Sequence, residues 1–338
     1  MSTPPPNDVH VLLAGIWFLI VGLFLVLYVV LDGFDLGVGM LSLFADEKHR
    51  STMMLSLGSI WDANETWIVV LGGTLFGAFP LAYGTVLHAL YVPIVLMLLG
   101  FMLRGVSFEF HALSRRKAFW GILFGIGSLL AAVAQGFALG GMLAGIDVEN
   151  RVFVGSIWDW ISPFSAVVVV GVITGYSLLG AGYLIIKTSG NIQTQCYRYS
   201  RSLAWSMLAV ALIVTVWTPL RYPQVAARWF TMPDFYLFAA LPLLAGGAFL
   251  MLLRALRRRY EFAPFVWTLL IFLFSFLGLA ASLYPYIVPG SVTVDQAAAD
   301  SNTLVFMLIG IGMLIPVMLA YNAYQYVVFR GKVAGEGY

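Results

Sequence analysis

Between residues 11 and 329 the sequence turns apolar for about twenty residues again and again, and that recurrence leaves few folds open. A helix rising about 1.5 Å per residue needs about 20 apolar residues to cross a hydrocarbon core of about 30 Å. The runs cover residues 11–44, 52–76, 80–103, 119–143, 162–186, 202–220, 235–253, 262–284 and 303–329. Only 10% of the chain is charged and 61% is hydrophobic, whereas soluble domains carry about 25% charged residues. No water-soluble fold of this length could hide so much apolar surface. Lipid removes that problem, but it also obliges every backbone group to bond internally, which leaves helices or closed barrels. Runs this long are helical, since barrel strands need only about 9–11 residues. The expected fold over residues 1–338 is one all-α integral membrane domain with nine transmembrane helices. The first run is too long for one perpendicular crossing, so its inner end, residues 31–44, should tilt, bend at Gly37 or Gly39, or extend beyond the core. Only Gly77, Ala78 and Phe79 separate the second run from the third.

Lys and Arg favour the cytoplasmic side of a membrane. With the amino terminus outside, fifteen of the 18 basic residues fall in cytoplasmic segments: Lys48, Arg50, Arg104, Arg115, Arg116, Lys117, Lys187, Arg198, Arg201, Arg254, Arg257, Arg258, Arg259, Arg330 and Lys332. Arg151, Arg221 and Arg228 fall outside. That bias sets the amino terminus out and the carboxyl terminus in, which an odd number of spans requires. Residues 1–10 contain no Lys or Arg, so the basic region of a cleaved signal peptide is missing and the first run is expected to stay as a helix. The net charge of +2 gives no reason to expect nucleic acid. The lone Cys196 can form no internal disulfide and sits in no metal motif.

Four acids do not lie in loops: Asp32 and Asp35 in the first run, Asp62 and Glu65 in the second. An ionised carboxylate at the bilayer centre costs about 2.5–3.5 kcal/mol on insertion scales. Neither run supplies a basic residue to offset it. Each pair has i,i+3 spacing and so shares a helix face. A helix begun at Thr52 puts Asp62 about 15 Å in, near the midplane, and Asp32 about 32 Å along the first helix, near its inner edge. Buried acids that gain and lose protons suit a proton path; hydrogen-bonded packing groups and a cation site are the alternatives. Gly33 and Gly37 form a small-xxx-small face that admits a neighbouring helix. Trp61-Asp62-Ala63-Asn64-Glu65-Thr66-Trp67 is too polar for lipid and should meet a partner helix, a cofactor or water.

Haem needs axial ligands such as His, Met or Cys. Of His10, His49, His88 and His111, only His88 falls inside a predicted span, where a lone His is more often a hydrogen-bonded packing group. The 13 methionines are core filler by default. No CxxCH, HExxH, GxGxxG or Walker motif occurs, so neither a metal site nor a soluble-type active site is expected.

Asp32-Gly-Phe-Asp-Leu-Gly-Val-Gly39 followed by Trp61-Asp-Ala-Asn-Glu-Thr-Trp67 resembles subunit II of the cytochrome bd ubiquinol oxidases, including their cyanide-insensitive branch. Weaker similarities follow in the same order at Arg104-Gly-Val-Ser-Phe-Glu-Phe110, Tyr284-Pro-Tyr-Ile-Val-Pro289, Tyr321-Asn-Ala-Tyr-Gln-Tyr326 and Phe329-Arg-Gly-Lys332. The resemblance implies two four-helix bundles plus a peripheral helix in a bacterial inner membrane. It also implies a tight complex with a larger subunit I that holds haem b, haem d and the quinol site. Such a complex oxidises quinol, reduces dioxygen to water and takes protons from the cytoplasm. In some members small single-helix accessory subunits or a structural quinone accompany this arrangement. By the same resemblance Asp62 matches an acid on the proton route, and Asp35 and Asp32 match acids of the first helix. Glu65 replaces an amide of some relatives. Trp61, Trp67 and the intervening Asn64 match the subunit boundary, where an oxygen passage is proposed in some members.

A second reading, drawn from the residues alone, is a proton-coupled secondary transporter using Asp62 and Glu65 at the midplane. Its usual inverted repeats are not evident, and the compact Trp-Asp-x-Asn-Glu-Thr-Trp cluster suits a fixed interface. A third is a scaffold with no proton role.

Overall fold

The computed structural model describes residues 8–333 apart from 59, 150 and 222. Residues 1–7 of the uncharged-to-acidic amino-terminal stretch therefore lie outside the described residues. The described helices are α1 (Asp8–Ser42), α2 (Glu47–Leu57), α3 (Trp61–Ala78), α4 (Pro80–Ala89), α5 (Tyr91–Leu113), α6 (Lys117–Ala144), α7 (Pro163–Lys187), α8 (Gly190–Arg221), α9 (Pro223–Trp229), α10 (Asp234–Arg258), α11 (Ala263–Leu283), α12 (Val294–Ala297) and α13 (Ser301–Val328). Two small antiparallel hairpins interrupt them: β1 (Val148–Glu149) with β2 (Val152–Phe153), and β3 (Tyr286–Val288) with β4 (Val292–Thr293). Among the described residues eight helices are long and apolar enough to cross a membrane. Helix α3 has 18 residues but carries Asp62 and Glu65, which lowers its hydropathy.

α1 runs through the centre. It packs against α3, α6 and α7, and more lightly against α2, α11, α12 and α13. α5 pairs with α6, α7 with α8, and α10 with α11, while α13 lies against α1 and α3. α1 is one continuous helix, and from Asp32 to Ser42 every residue is buried. This stretch is therefore wrapped by protein rather than lipid, so its length needs no bend. Gly37 explains how α7 comes so close. A Cβ there would overlap the Tyr176 carbonyl, and a Cβ on the facing Gly180 would sit 2.5 Å from the Gly37 and Val38 backbone.

Two predicted spans change. The run 52–76 is two helices: α2 ends at Leu57 with Gly58 as its cap, and α3 begins at Trp61 after Ile60. The run 80–103 is also two helices. Leu90 leaves helical geometry, so the long membrane-scale helix is α5, which begins at Tyr91 and continues past residue 103 to Leu113. α4 instead belongs to a second apolar cluster at one end of the protein, together with Trp17, Ile146, Phe153, Trp160, Val288 and Leu304. Local hydropathy could not detect the break at Leu90, because the sequence stays apolar across it.

Candidate functional site

The second-run break and the later start of α5 bring together a buried polar group that neither predicted span contained. Arg104 lies nine residues before the end of α5, about 14 Å from it, and its side chain is fully buried. Its guanidinium donates from Nη1 to Asp32 Oδ1 at 2.6 Å and from Nη2 to Glu65 Oε2 at 2.5 Å. Asp32 has no exposed side-chain surface, and Glu65 has 21%. One turn along α1, Asp35 is also fully buried and accepts from Asn64 Nδ2 at 2.9 Å. Asn64 Oδ1 in turn accepts from the Tyr326 hydroxyl of α13 at 2.9 Å. On the other side, the Tyr28 phenol stands beside Asp32. It accepts from Gln135 Nε2 at 2.6 Å, while Tyr176 donates to Gln135 Oε1 at 2.8 Å. Five helices, α1, α3, α5, α6 and α7, and the end of α13 thus converge on three carboxyls and one guanidinium.

The chemistry of this group follows from its count of charges. Three carboxylates facing one guanidinium would leave two negative charges uncompensated in an apolar interior, where an unpaired charge is expensive. Asp32 Oδ2, Asp35 Oδ1 and Arg104 Nε have no hydrogen-bond partner among the described residues. The group therefore combines a fixed cation with free acceptor positions, an arrangement suited to taking up and releasing protons. The backbone of Arg104 is set by close packing of α5 on α6, since a Cβ at Gly127 would meet the Arg104 nitrogen at 2.8 Å.

Arg104 is the residue that sequence reading misplaced. It falls in a segment expected to be cytoplasmic, but it is an interior residue, which leaves fourteen basic residues in the expected cytoplasmic segments. A signal was present: four intramembrane acids demand a cation, and the next basic residue beyond the third apolar run is Arg104. Its partners are 72 and 39 residues distant, so no local pattern could pair them.

Asp62 also moves. It lies in the first turn of α3 rather than deep in a helix begun at Thr52, and it is exposed on the outer face of that helix, apart from the Arg104 group. The i,i+3 pair of α3 therefore divides, with Glu65 turned inward and Asp62 outward. Trp61 is half-buried and stacks on Phe108 with centroids 5.2 Å apart. Trp67 is fully buried between α1 and α13, where its indole N–H donates to Asn322 Oδ1 at 3.3 Å. Trp67 and Asn64 are thus both buried within this chain. The inward turn of both reflects the amphipathic period of α3, which carries Asn64 and Trp67 on the face opposed to α1 and α13.

His10 and His49 stand in first turns of helices, and His88 and His111 stand in last turns. His88 is exposed, with its ring 5.4 Å from Phe153, in the end cluster rather than inside a span. No three His, Cys, Asp or Glu side chains among the described residues have metal-binding spacing.

Comparison with known proteins agrees with this architecture. The profile of the family described as cytochrome bd terminal oxidase subunit II matches residues 13–329. Cytochrome bd-I ubiquinol oxidase subunit 2 of Escherichia coli K12 is 28% identical, with 95% of each chain covered. Cytochrome bd ubiquinol oxidase subunit 2 of Bacillus subtilis 168 is 27% identical, covering 95% of this chain and 97% of the relative. A chain of the bd oxidase from Geobacillus thermodenitrificans superposes with a TM-score of 0.76 at 19% identity, over 95% of this chain and 100% of that one, which shows the shared fold. A multi-pass helical membrane protein matched by that profile over nearly its whole length, this chain belongs to the cytochrome bd terminal oxidase subunit II family, a component of an oxidoreductase complex.

Proposed function

We propose that this chain is the haem-free subunit of a bd-type quinol oxidase and that it loads protons for the reduction of dioxygen in a larger, haem-bearing subunit. The observation that carries the reading is the buried Arg104 group, in which Asp32, Asp35 and Glu65 share one cation. A proton arriving from the cytoplasmic side is held on the carboxyls of this group, and Arg104 keeps the remaining negative charge tolerable. Asp62, one turn from Glu65 along α3, then passes the proton to the larger subunit. Its exposure supports that role: a carboxylate on a membrane helix cannot face lipid cheaply, so a protein surface should cover it. Trp61 lies beside it on the same helix end. The haem b and haem d of the partner supply the electron chemistry, and no step in this chain needs a bound metal. The basic-residue bias supports an outer amino terminus and a cytoplasmic carboxyl terminus. A structural quinone and single-helix accessory subunits remain compatible with the fold, and membrane lipid covers the rest.

Purification in mild detergent tests this reading. A larger haem-bearing subunit should co-purify, and the complex should consume oxygen with quinol. The chain expressed alone should show no haem bands, and His88→Ala should leave the complex's haem spectrum intact. Haem-free, proton-driven solute uptake by the chain alone would replace this function with that of a secondary transporter.

A further inference from the structure

The end of α10 carries cations that the Arg104 group does not use. Arg254, Arg257 and Arg258 are exposed, and with Leu250 and Leu253 they line an open groove of about 440 Å³. Their i,i+3,i+4 spacing points the three guanidiniums to one side of the helix. Among the described residues no carboxylate stands within ion-pair distance of them. The neighbouring Glu261 is occupied, accepting from Lys332 Nζ at 2.6 Å and Gln193 Nε2 at 3.0 Å. Arg259 is turned away, with its guanidinium 5.8 Å from the Tyr197 ring. From one to three turns back along α10 toward its start the surface is bare hydrocarbon, with Leu250 61% exposed and Leu243 75% exposed.

We propose that this groove binds the head group of an anionic phospholipid from the surrounding leaflet. The groove joins two surfaces that only such a ligand matches at once: a fork of guanidiniums suited to a phosphate, and below it leucines suited to an acyl chain. A soluble anion would use only the arginines, and a zwitterionic lipid would bring its own cation to them. Basic pockets at the cytoplasmic ends of membrane helices take anionic head groups for this reason. α8 extends the basic surface. Its Trp205 packs on Phe249 of α10 with centroids 5.4 Å apart, and Arg201 and Arg198 follow toward the same end of the protein.

The test uses the whole oxidase complex reconstituted with spin-labelled phosphatidylglycerol or spin-labelled phosphatidylcholine, reading the motionally restricted fraction. The wild type should prefer phosphatidylglycerol. R254Q/R257Q/R258Q should weaken that binding on the order of 10²-fold and leave phosphatidylcholine unchanged, as expected from the attraction of three basic side chains to an anionic surface. The charge-preserving R254K/R257K/R258K should retain most of the preference, and R257Q alone should lose roughly fivefold. Oxygen uptake per haem should stay at the wild-type level. Inorganic phosphate should displace the labelled lipid no better than chloride at equal ionic strength. Three outcomes would each overturn the proposal: no preference in the wild type, a preference untouched by R257Q and by the triple glutamine variant, or cross-linking of the three arginines to another protein subunit. If the triple glutamine variant does not assemble, the lysine triple and R257Q still decide the question.

Discussion

Removing Arg104 is the sharpest test of the buried group. The guanidinium is fully buried and makes short bonds to two carboxylates on different helices. Deleting one partner of a buried ion pair costs about 3–5 kcal/mol, because the remaining charge is left uncompensated. Arg104→Met should therefore reduce the ratio of assembled to unassembled protein by roughly 10²- to 10⁴-fold. Arg104→Lys should fall between, since one ammonium cannot span Asp32 and Glu65 as a planar fork does. The decisive measurement is a double-mutant cycle of Arg104→Gln with Asp32→Asn, followed by reversible unfolding in mixed detergent micelles with haem content monitored. Two residues in direct contact should couple by about 2 kcal/mol, and the double variant should be more stable than the sum of the singles requires. An Arg104→Met complex that assembles and melts like the wild type would refute the argument. So would a coupling within the 0.3–0.5 kcal/mol scatter of independent sites.

Three further outcomes follow. Asp62→Asn should assemble normally, since the side chain is exposed and unbonded to the Arg104 group, yet slow quinol-dependent oxygen uptake per haem by roughly 10²-fold; Asp62→Glu should retain more, and wild-type turnover in the Asn variant would remove Asp62 from the proton route. Gly37→Ala should destabilise by about 1–3 kcal/mol or more, because its Cβ overlaps the Tyr176 carbonyl and α7 must move; an unchanged melting temperature would show that the contact can relax. Lys332 and Gln193 hold the Glu261 carboxyl below its ordinary value of 4.5, and a depressed acid contributes its stabilisation above the ordinary value and loses it as pH falls through the lowered one. The protection factor of the Val333 amide, which donates to the Lys187 carbonyl at 2.8 Å, should accordingly fall once the pH drops below that ordinary value and through the lowered one, and Glu261→Gln should abolish that dependence.

Much of the protein was legible in the linear chain because lipid imposes a rule that composition alone can satisfy. Long apolar runs had to be helices, acids inside them had to have a purpose, and the motifs around Asp32 and Trp61 pointed to the family that the profile and relatives then showed. Helix boundaries were less legible. Leu90 interrupts a helix within sequence that stays apolar, so hydropathy carried the third run straight through the break, and the long apolar count of the second run hid the boundary between Leu57 and Trp61.

Apolar runs and spacing alone established the class of fold, the four acids within those runs, of which Asp32, Asp35 and Glu65 turn inward and Asp62 does not, and the supply of small residues that lets helices approach. Tertiary structure decided which charge answers which. Arg104 enters the interior only because α5 starts at Tyr91 and its tenth to fifteenth residues reach the depth of Asp32. Glu65 and Asp62, three residues apart, were separated by the rotation of α3 against α1, which turns Glu65 inward and leaves Asp62 exposed. Trp67 and Asn64 turned inward for the same reason. Side-chain pairing across 72 residues depends on where whole helices pack, and that placement is set by the sum of contacts over the bundle rather than by any local pattern.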